Sequence, residues 1–408
     1  MKKYLVGGCV RDELLGLLIN DRDWVVVGSS PEEMLNQGYK AVGKDFPVFL
    51  HPETKEEYAL ARTERKTAPG YTGFVFHAAP DVSLEQDLAR RDLTINAMAK
   101  SESGEIVDPY NGQADLDARV LRHVSPAFSE DPLRILRVAR FAARFASLGF
   151  KVARDTLGLM QEMVSCGEVN ALVPERVWQE TQCALGEAKP SVYFEVLREC
   201  GALKVLFPEV DALYGVPQTE KYHPEIDTGI HTMMVIDQAA VISKKDPQVC
   251  FAALVHDLGK GVTPKSEWPK HVAHEVRGLP LVKAMSKRLK IPKDYSDLAL
   301  LVTEHHLLYH RAAELRASTF VRLFGKLDAF RRPERFEKFV LTCESDSRGR
   351  QGHEEMQPEQ TEIFNKTYKV AAAINASELV RQGLEGKAIG EALEKLRCEA
   401  IGKIKNEE

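Results

Sequence analysis

The strongest constraint on the fold is a change of hydrophobic period near residue 120. Before it, short β-forming runs (KYLVGG, DWVVVG, FPVFLH, EEYALAR and EIVDPY) alternate with short helical patterns, the signature of a mixed α/β domain. From about residue 130 apolar residues recur at three- and four-residue spacing in DPLRILRVARFAARF, SVYFEVLRECGALKVLF and HTMMVIDQAAVI, which predicts stacked amphipathic helices. Proline and glycine punctuation over 207–229, FPEVDALYGVPQTEKYHPEIDTG, predicts a boundary between helical units, and RRPERF marks another. At 408 residues the chain exceeds a single core, so two to four domains are expected.

Charge and cysteine content narrow the class. A net charge of −5 gives no global attraction to nucleic acid, so any polyanion must meet a local basic patch. The seven cysteines are scattered, odd in number and form no C-x-x-C pair, which predicts free thiols in a reducing compartment, the cytoplasm. The N-terminal apolar run breaks at Gly7-Gly8 and reaches Arg11-Asp12 too soon for a signal peptide. No stretch approaches the roughly 20 apolar residues of a membrane span, so no membrane partner is expected.

Two aspartates, Asp21 and Asp23, run straight into the β-forming DWVVVG. On a strand, i and i+2 share a face, so both carboxylates would form one hard-oxygen site suited to Mg²⁺ and a substrate's phosphates. A lone D-x-D is more often a polar turn entering a strand. The preceding segment, YLVGGCVRDELLG, reads as strand, Gly-Gly turn, helix, with backbone N–H groups near Gly8 facing an anion and Arg11 adding a charge-assisted contact. Strand, GG, helix, strand and DxD within so short a span read together as a nucleotidyltransferase palm.

The order LVGGCVRDELLG…DRDWVVVG, RRDLTINAMA, DPYNGQADL and EDPLRILRVARFAARF resembles the bacterial CCA-adding enzymes, the class II tRNA nucleotidyltransferases related to poly(A) polymerases in the polymerase-β-like superfamily. The later HTMMVIDQAA…VHDLGKG resembles the HD-containing, multifunctional form of these enzymes. The resemblance implies addition of CMP, CMP and AMP to the 3′ end of tRNA from CTP and ATP, with release of pyrophosphate by two-metal transfer. Its other implied contacts are the tRNA acceptor and TΨC arms, and its catalytic metal ligands are Asp21 and Asp23. A third acidic residue on a neighbouring strand matches Glu57. RRDLTINAMA places Arg91 and Asp92 at a helix start, with Asn96 four residues on, and the family uses this motif around the ribose and phosphates. An aspartate accepting from a 2′-hydroxyl separates ribonucleotides from deoxynucleotides; a helix-capping Asp92 is the simpler alternative.

In EDPLRILRVARFAAR, Arg134, Arg137, Arg140 and Arg144 recur at helical spacing, with Asp131 three residues before Arg134. Such a series is usually a solvated face. Base chemistry offers another reading, because cytosine and adenine each present an exocyclic amino donor beside a ring-nitrogen acceptor, whereas uracil and guanine present a carbonyl and a ring N–H. A carboxylate with an arginine fits C and A and repels U and G. Asp131 and Arg134 are therefore expected to act as a protein template, with Glu130 orienting them and Arg137 and Arg140 reaching the triphosphate.

Beyond residue 220, His231, His256-Asp257, His274, His306 and Asp328 fall in an H…HD…D order that can converge on a divalent metal from stacked helices. This resembles the HD phosphohydrolases, and the resemblance implies hydrolysis of 2′,3′-cyclic phosphates and 2′-phosphates. An imidazole-rich set suits nickel or another transition metal better than Mg²⁺. His271, His305, His310 and His353 read as surface or structural. The segment TEHHLLYH departs from a second His-Asp pair, since Leu307 follows His306.

The expected architecture is an α+β N-terminal nucleotidyltransferase palm of the polymerase-β-like type followed by a mostly α-helical neck, body and HD domain. Its segments are 1–140 (palm), 141–225 (neck and body, binding tRNA), 228–329 (HD) and 330–408 (helical tail). Basic candidates for tRNA are Lys44, Arg62, Arg65 and Lys66, then KSEWPK, KAMSKRLKIPK and RRPERFEK, each equally an ordinary solvated run. The segment 63–73 reads as a mobile loop, and the assembly as a monomer or homodimer. Alternative readings are a poly(A) polymerase or CC- or A-adding enzyme, an HD phosphohydrolase with a vestigial palm, and a tRNA-binding chaperone.

Overall fold

The computed structural model describes residues 1–19, 21–42, 48–66, 74–221 and 223–406. They form two compact units, residues 1–181 with 192–206 and residues 182–191 with 207–408. The expected palm and most of the neck share the first; the HD segment and the tail share the second.

The first unit is built on β1 (Lys2–Val6), β2 (Asp23–Val27), β3 (Lys40–Val42), β4 (Val48–Leu50), β5 (Glu57–Leu60), β8 (Ala99–Ser101) and β9 (Ile106–Val107), in spatial order β3-β4-β5-β2-β1-β8-β9. Strands β2 and β5 run parallel and the other pairs antiparallel. Alternation along β2 sends Val25 into one core, with Val6, Leu84 and Leu88, and Val26 into another, with Met34, Phe49 and Tyr58. The sheet is therefore covered on both faces, by α2 (Pro31–Asn36) on one side and α3 (Leu84–Ala89) on the other. Helix α1 (Gly8–Leu14) follows β1, and α4 (Gly112–Asp117) follows β9.

Two expectations change here. Residues 63–66 are not loop but strand β6 (Thr63–Lys66), antiparallel to β7 (Phe74–His77). Residues 67–73 lie outside the described residues, as do Lys44 and the side chains of Arg65 and Lys66. Strand β2 begins at Asp23, so Asp21 precedes the strand rather than sharing its pleat.

After residue 120 helices dominate, with only the short strands β10 (Val120–Leu121) and β11 (Lys151–Val152). Helix α5 (Leu133–Arg144) buries Ile135, Leu136, Val138, Ala139 and Ala142 and turns its arginines the other way. It is followed by α6 (Arg154–Ser165), α7 (Pro174–Leu185), α8 (Ser191–Glu199) and α9 (Ala202–Leu206). In the second unit, α10 (Pro208–Asp211) leads into α11 (Thr228–Ile242), α12 (Pro247–Val255), α13 (His274–Arg288) and α14 (Lys293–His310). Then come α15 (Ala317–Lys326), α16 (Pro333–Arg348), α17 (Glu359–Ala373), α18 (Ser377–Arg381) and α19 (Lys387–Asn406). Helix α12 is apolar on every side, consistent with its place among α11, α14 and α16. All seven cysteines are free. Among the described residues no helix is long and apolar enough to cross a membrane.

Candidate functional site

At the end of β1 the chain turns through Gly7, with φ 75°, and enters α1 at Gly8. An L side chain is disfavoured at that φ, and a Cβ there would sit 2.9 Å from Arg91 Nη1, so the turn requires glycine and lets the arginine close against the backbone. The turn lies at one end of a cleft of about 480 Å³.

Eight arginines (Arg11, Arg90, Arg91, Arg134, Arg137, Arg140, Arg144 and Arg176) and three aspartates (Asp23, Asp92 and Asp131) line this cleft. The excess positive charge is thus concentrated locally although the chain as a whole is acidic. The guanidinium groups are held by an ordered network. Arg11 is buried, pairs with Asp12 at 2.8 Å and donates to Asn96 Oδ1. Asn96 Nδ2 donates to Asp92 Oδ1 at 2.9 Å, and Arg137 Nε donates to Asp92 Oδ2 at 2.7 Å. Arg140 Nε donates to Glu180 at 2.6 Å and Arg144 Nη2 to Asp12 at 3.0 Å. Phe141 lies beneath Arg11, Arg137 and Arg140, and Phe145 beneath Arg11 and Arg144, so two aromatic faces fix the cationic planes. Burial of Asp92 opposes its ionisation, but Arg137, Asn96 and the Leu93 N–H outweigh it and hold the carboxyl well below its ordinary range.

Asp23 also faces the cleft, and on β2 it stands in register with Glu57 of β5. Loss of part of its hydration pushes the Asp23 carboxyl up, Arg91 opposes this and Asp21 adds to it. A divalent cation would reverse that shift, and the oxygen-only set of Asp21, Asp23 and Glu57 has the chemistry such an ion takes.

The residues expected to template the base make contacts that the sequence did not predict. Asp131 Oδ1 accepts the Leu133 N–H at 3.0 Å, and its Oδ2 lies 3.6 Å from Arg176 Nη2. Arg134 lines the cleft, but Nη1 donates to Ala127 O at 2.7 Å and Nη2 to Arg90 O at 2.5 Å, so it also ties two chain segments together. Glu130 does not line the cleft and makes no side-chain hydrogen bond to Asp131 or Arg134; Arg176 stands beside Asp131 instead. Arg91 and Asp92 follow α3 in a bend, and Asn96 belongs to a 3₁₀ turn, Thr94–Asn96, rather than to an α-helix. Sequence reasoning missed Arg176 and Glu180, whose signal was their opposite charge at i, i+4 spacing on one helix.

The second unit brings five of the six expected metal ligands together. His231 lies on α11, His256 caps α12, Asp257 follows it, His274 opens α13 and His306 lies on α14. Gly259 permits this, because a Cβ there would overlap the carbonyl oxygen of His274. Asp328, expected as the sixth, does not join them. Asp328 pairs with Arg331 at 2.7 Å and Arg332 at 3.6 Å, outside the cluster. Asp346 of α16 lies in the cluster instead, with Oδ1 3.0 Å from His231 Nε2 and 3.8 Å from His256 Nε2. His310, expected to be structural, lies 2.6 Å from Asp346 Oδ2.

Nδ1 of His256, His274 and His306 each faces a backbone carbonyl, at 2.7 Å (Ala253), 3.0 Å (His271) and 3.1 Å (Val302). Carbonyls only accept, so each Nδ1 carries a proton, and in the neutral ring each Nε2 turns a lone pair inward. His274 and His306 Nε2 then stand 3.2 Å apart, beside Asp257 Oδ1 at 3.2 and 3.7 Å. Acceptors facing acceptors in a buried site call for a cation, and His256 Nε2 and Asp257 Oδ1 are buried without a hydrogen-bond partner among the described residues. Burial drops His306 to about 3 and keeps it neutral, the form that binds metal. Burial also disfavours the His256 imidazolium, but Asp257 and Asp346 overcome it and lift that group to about 9; a metal would displace the proton. The residues present fit a transition metal.

Comparison with known proteins matches both units to described families. Residues 3–122 match the family described as "Poly A polymerase head domain", residues 149–214 "Probable RNA and SrmB- binding site of polymerase A", and residues 228–337 "HD domain". The Multifunctional CCA protein of Thioalkalivibrio sulfidiphilus is 62% identical over 407 residues, covering 100% of this chain and 99% of the relative. Two solved structures, of a CCA-adding enzyme with ATP (21% identity, TM-score 0.66, 98% of this chain and 86% of that one) and with CTP (23%, 0.64, 98% and 87%), share the fold. Head, RNA-binding region and HD region occur here in one chain, aligned end to end with that relative, and the chain belongs to the multifunctional CCA protein family.

Proposed function

We propose that this chain adds C, C and A to the 3′ end of tRNA from CTP and ATP, releasing pyrophosphate, with the first unit as the transferase. The single observation that carries this reading is the cleft itself, where one ordered arginine network and the Asp23 carboxylate meet at the Gly7 turn. Asp21 and Asp23, with Glu57 beside them, would hold Mg²⁺. When bound, that ion favours ionisation of the attacking 3′-hydroxyl and offsets charge on the leaving pyrophosphate. Arg11, Arg91, Arg137 and Arg140 bind the triphosphate, and their fixed guanidinium groups need no reorganisation as charge moves toward the leaving group. Asp92 accepts from the ribose 2′-hydroxyl. Asp131 and Arg134 select C and A, the arginine by yielding one of its carbonyl contacts to the base.

The second unit is a metal-dependent phosphohydrolase for 2′,3′-cyclic phosphates and 2′-phosphates. His231, His256, Asp257, His274, His306 and Asp346 would hold nickel or another transition metal, which supplies an activated water. The basic runs of both units, together with residues 141–225, meet the tRNA backbone.

NTP selectivity on a tRNA lacking its 3′ terminus tests the transferase reading. Two C residues followed by one A are expected; incorporation of A alone, without C, would show a poly(A)-type activity instead.

A further inference from the structure

The cleft of the second unit, about 570 Å³, holds orphaned donors as well as orphaned acceptors. Gln218 is 4% exposed, and its backbone is pinned by a 2.7 Å hydrogen bond to Ile226 O. Lys260 Nζ donates to Gln218 Oε1 at 2.5 Å, which fixes the amide's orientation, since an ammonium can only donate. Gln218 Nε2 is therefore a buried donor, and it has no hydrogen-bond partner among the described residues. Arg350 lines the same cleft, and its Nε is likewise buried without a partner. Its position is set by its neighbour, because Gly349 O accepts from His231 Nδ1 at 3.0 Å.

Two donors without acceptors cost free energy unless something enters to accept from them. The Asp257, His274 and His306 group that faces the same cleft has the opposite need. A phosphate oxyanion satisfies both, with some of its oxygens toward a metal ion and others toward the amide and the guanidinium. We infer that Gln218 and Arg350 form a phosphate-binding edge to the His/Asp centre. They would receive the non-bridging oxygens of a phosphate ester or cyclic phosphate at a ribonucleotide terminus. This rests on the metal-centre reading of the second unit. Lys260 links the two halves, since its Nζ also lies 2.6 Å from Asp257 Oδ2. Gln218 is thereby held by the same ammonium that braces a metal ligand.

The test uses the full-length protein loaded with Co²⁺, whose visible absorption responds to anions entering its coordination sphere, titrated with inorganic phosphate. Gln218→Glu keeps an acceptor for Lys260 but replaces the donor with an oxygen; Arg350→Gln removes the charge, and Arg350→Lys restores it. The half-saturating phosphate concentration should rise about tenfold or more in Gln218→Glu and Arg350→Gln and recover in part in Arg350→Lys. Nucleotide addition to tRNA, which Arg350 does not serve, should be unchanged in the Arg350 variants, and an unshifted thermal midpoint with undiminished cobalt uptake reports an intact fold in Gln218→Glu. A cobalt-loaded wild type that does not respond to phosphate, or equal half-saturation in all variants, overturns the inference alone. A protein that takes up no cobalt contradicts the metal centre itself and the inference with it.

Discussion

Arg137 Nε donates to Asp92 Oδ2 across 2.7 Å, joining the helix that carries the arginines to the turn proposed to meet the ribose. Asp92 is 5% exposed, so without Arg137 its buried carboxylate would be held only by Asn96 and the Leu93 N–H. Asp92→Asn should destabilise the full-length protein by about 2 kcal/mol at neutral pH and raise KM for both CTP and ATP. The folded carboxyl lies below its unfolded value of about 3.9, so its stabilisation is fully present above that pH and is lost as pH falls toward the depressed folded value. Urea unfolding followed against pH should therefore show the wild-type advantage constant at neutral pH and shrinking below about pH 4. An advantage that grows on acidification would contradict this sign.

Asp131 stands beside Arg176. Asp131→Ala should relax base choice, with UTP gaining relative to CTP by about 1–3 kcal/mol of lost discrimination, or roughly ten- to a hundredfold in the ratio of kcat/KM. Steady-state incorporation with single nucleotides measures it. Unchanged selectivity would remove this carboxylate from base recognition.

The metal centre makes a paired prediction. Asp346→Asn should lower transition-metal affinity by about tenfold to a hundredfold, whereas Asp328→Asn should leave it unaltered, by equilibrium dialysis of the full-length protein. A loss at Asp328 with none at Asp346 would restore the sequence-based assignment.

Gly7→Ala should reduce nucleotide addition and cost about 1–2 kcal/mol, because it adds a Cβ at φ 75° and presses on Arg91. Thermal unfolding and KM for ATP report the two effects separately. Equal values in wild type and variant would mean that the turn does not set the arginine.

Local pattern carried much of this architecture. The β-forming runs became β1, β2, β4, β5 and β9 because alternation and β-branched content act over a few residues. The arginine series was legible because α5 keeps one period throughout. The partners of those arginines were not. Asp12 and Arg144 are 132 positions apart, and no local pattern announces such a pair. The hairpin of β6 and β7 was hidden by charged and glycine-rich composition that reads as loop. The H…HD…D order alone does not single out Asp346, although the residue announces itself otherwise. It continues the buried Phe336, Phe339, Val340 and Cys343 stripe of α16, where a carboxylate needs a partner. Asp328 lacked that setting, since it follows α15 with φ 53° and pairs with arginines of its own segment.

The central claim is that the Asp21 and Asp23 carboxylates serve nucleotide transfer in the arginine-lined cleft. Single-turnover incorporation of CMP into a tRNA lacking its 3′ terminus, with the full-length protein carrying Asp21→Ala and Asp23→Ala, tests it most directly. The account predicts a loss of about a thousandfold or more in rate, with tRNA affinity and metal-dependent phosphatase activity retained. Incorporation at the wild-type rate would contradict it.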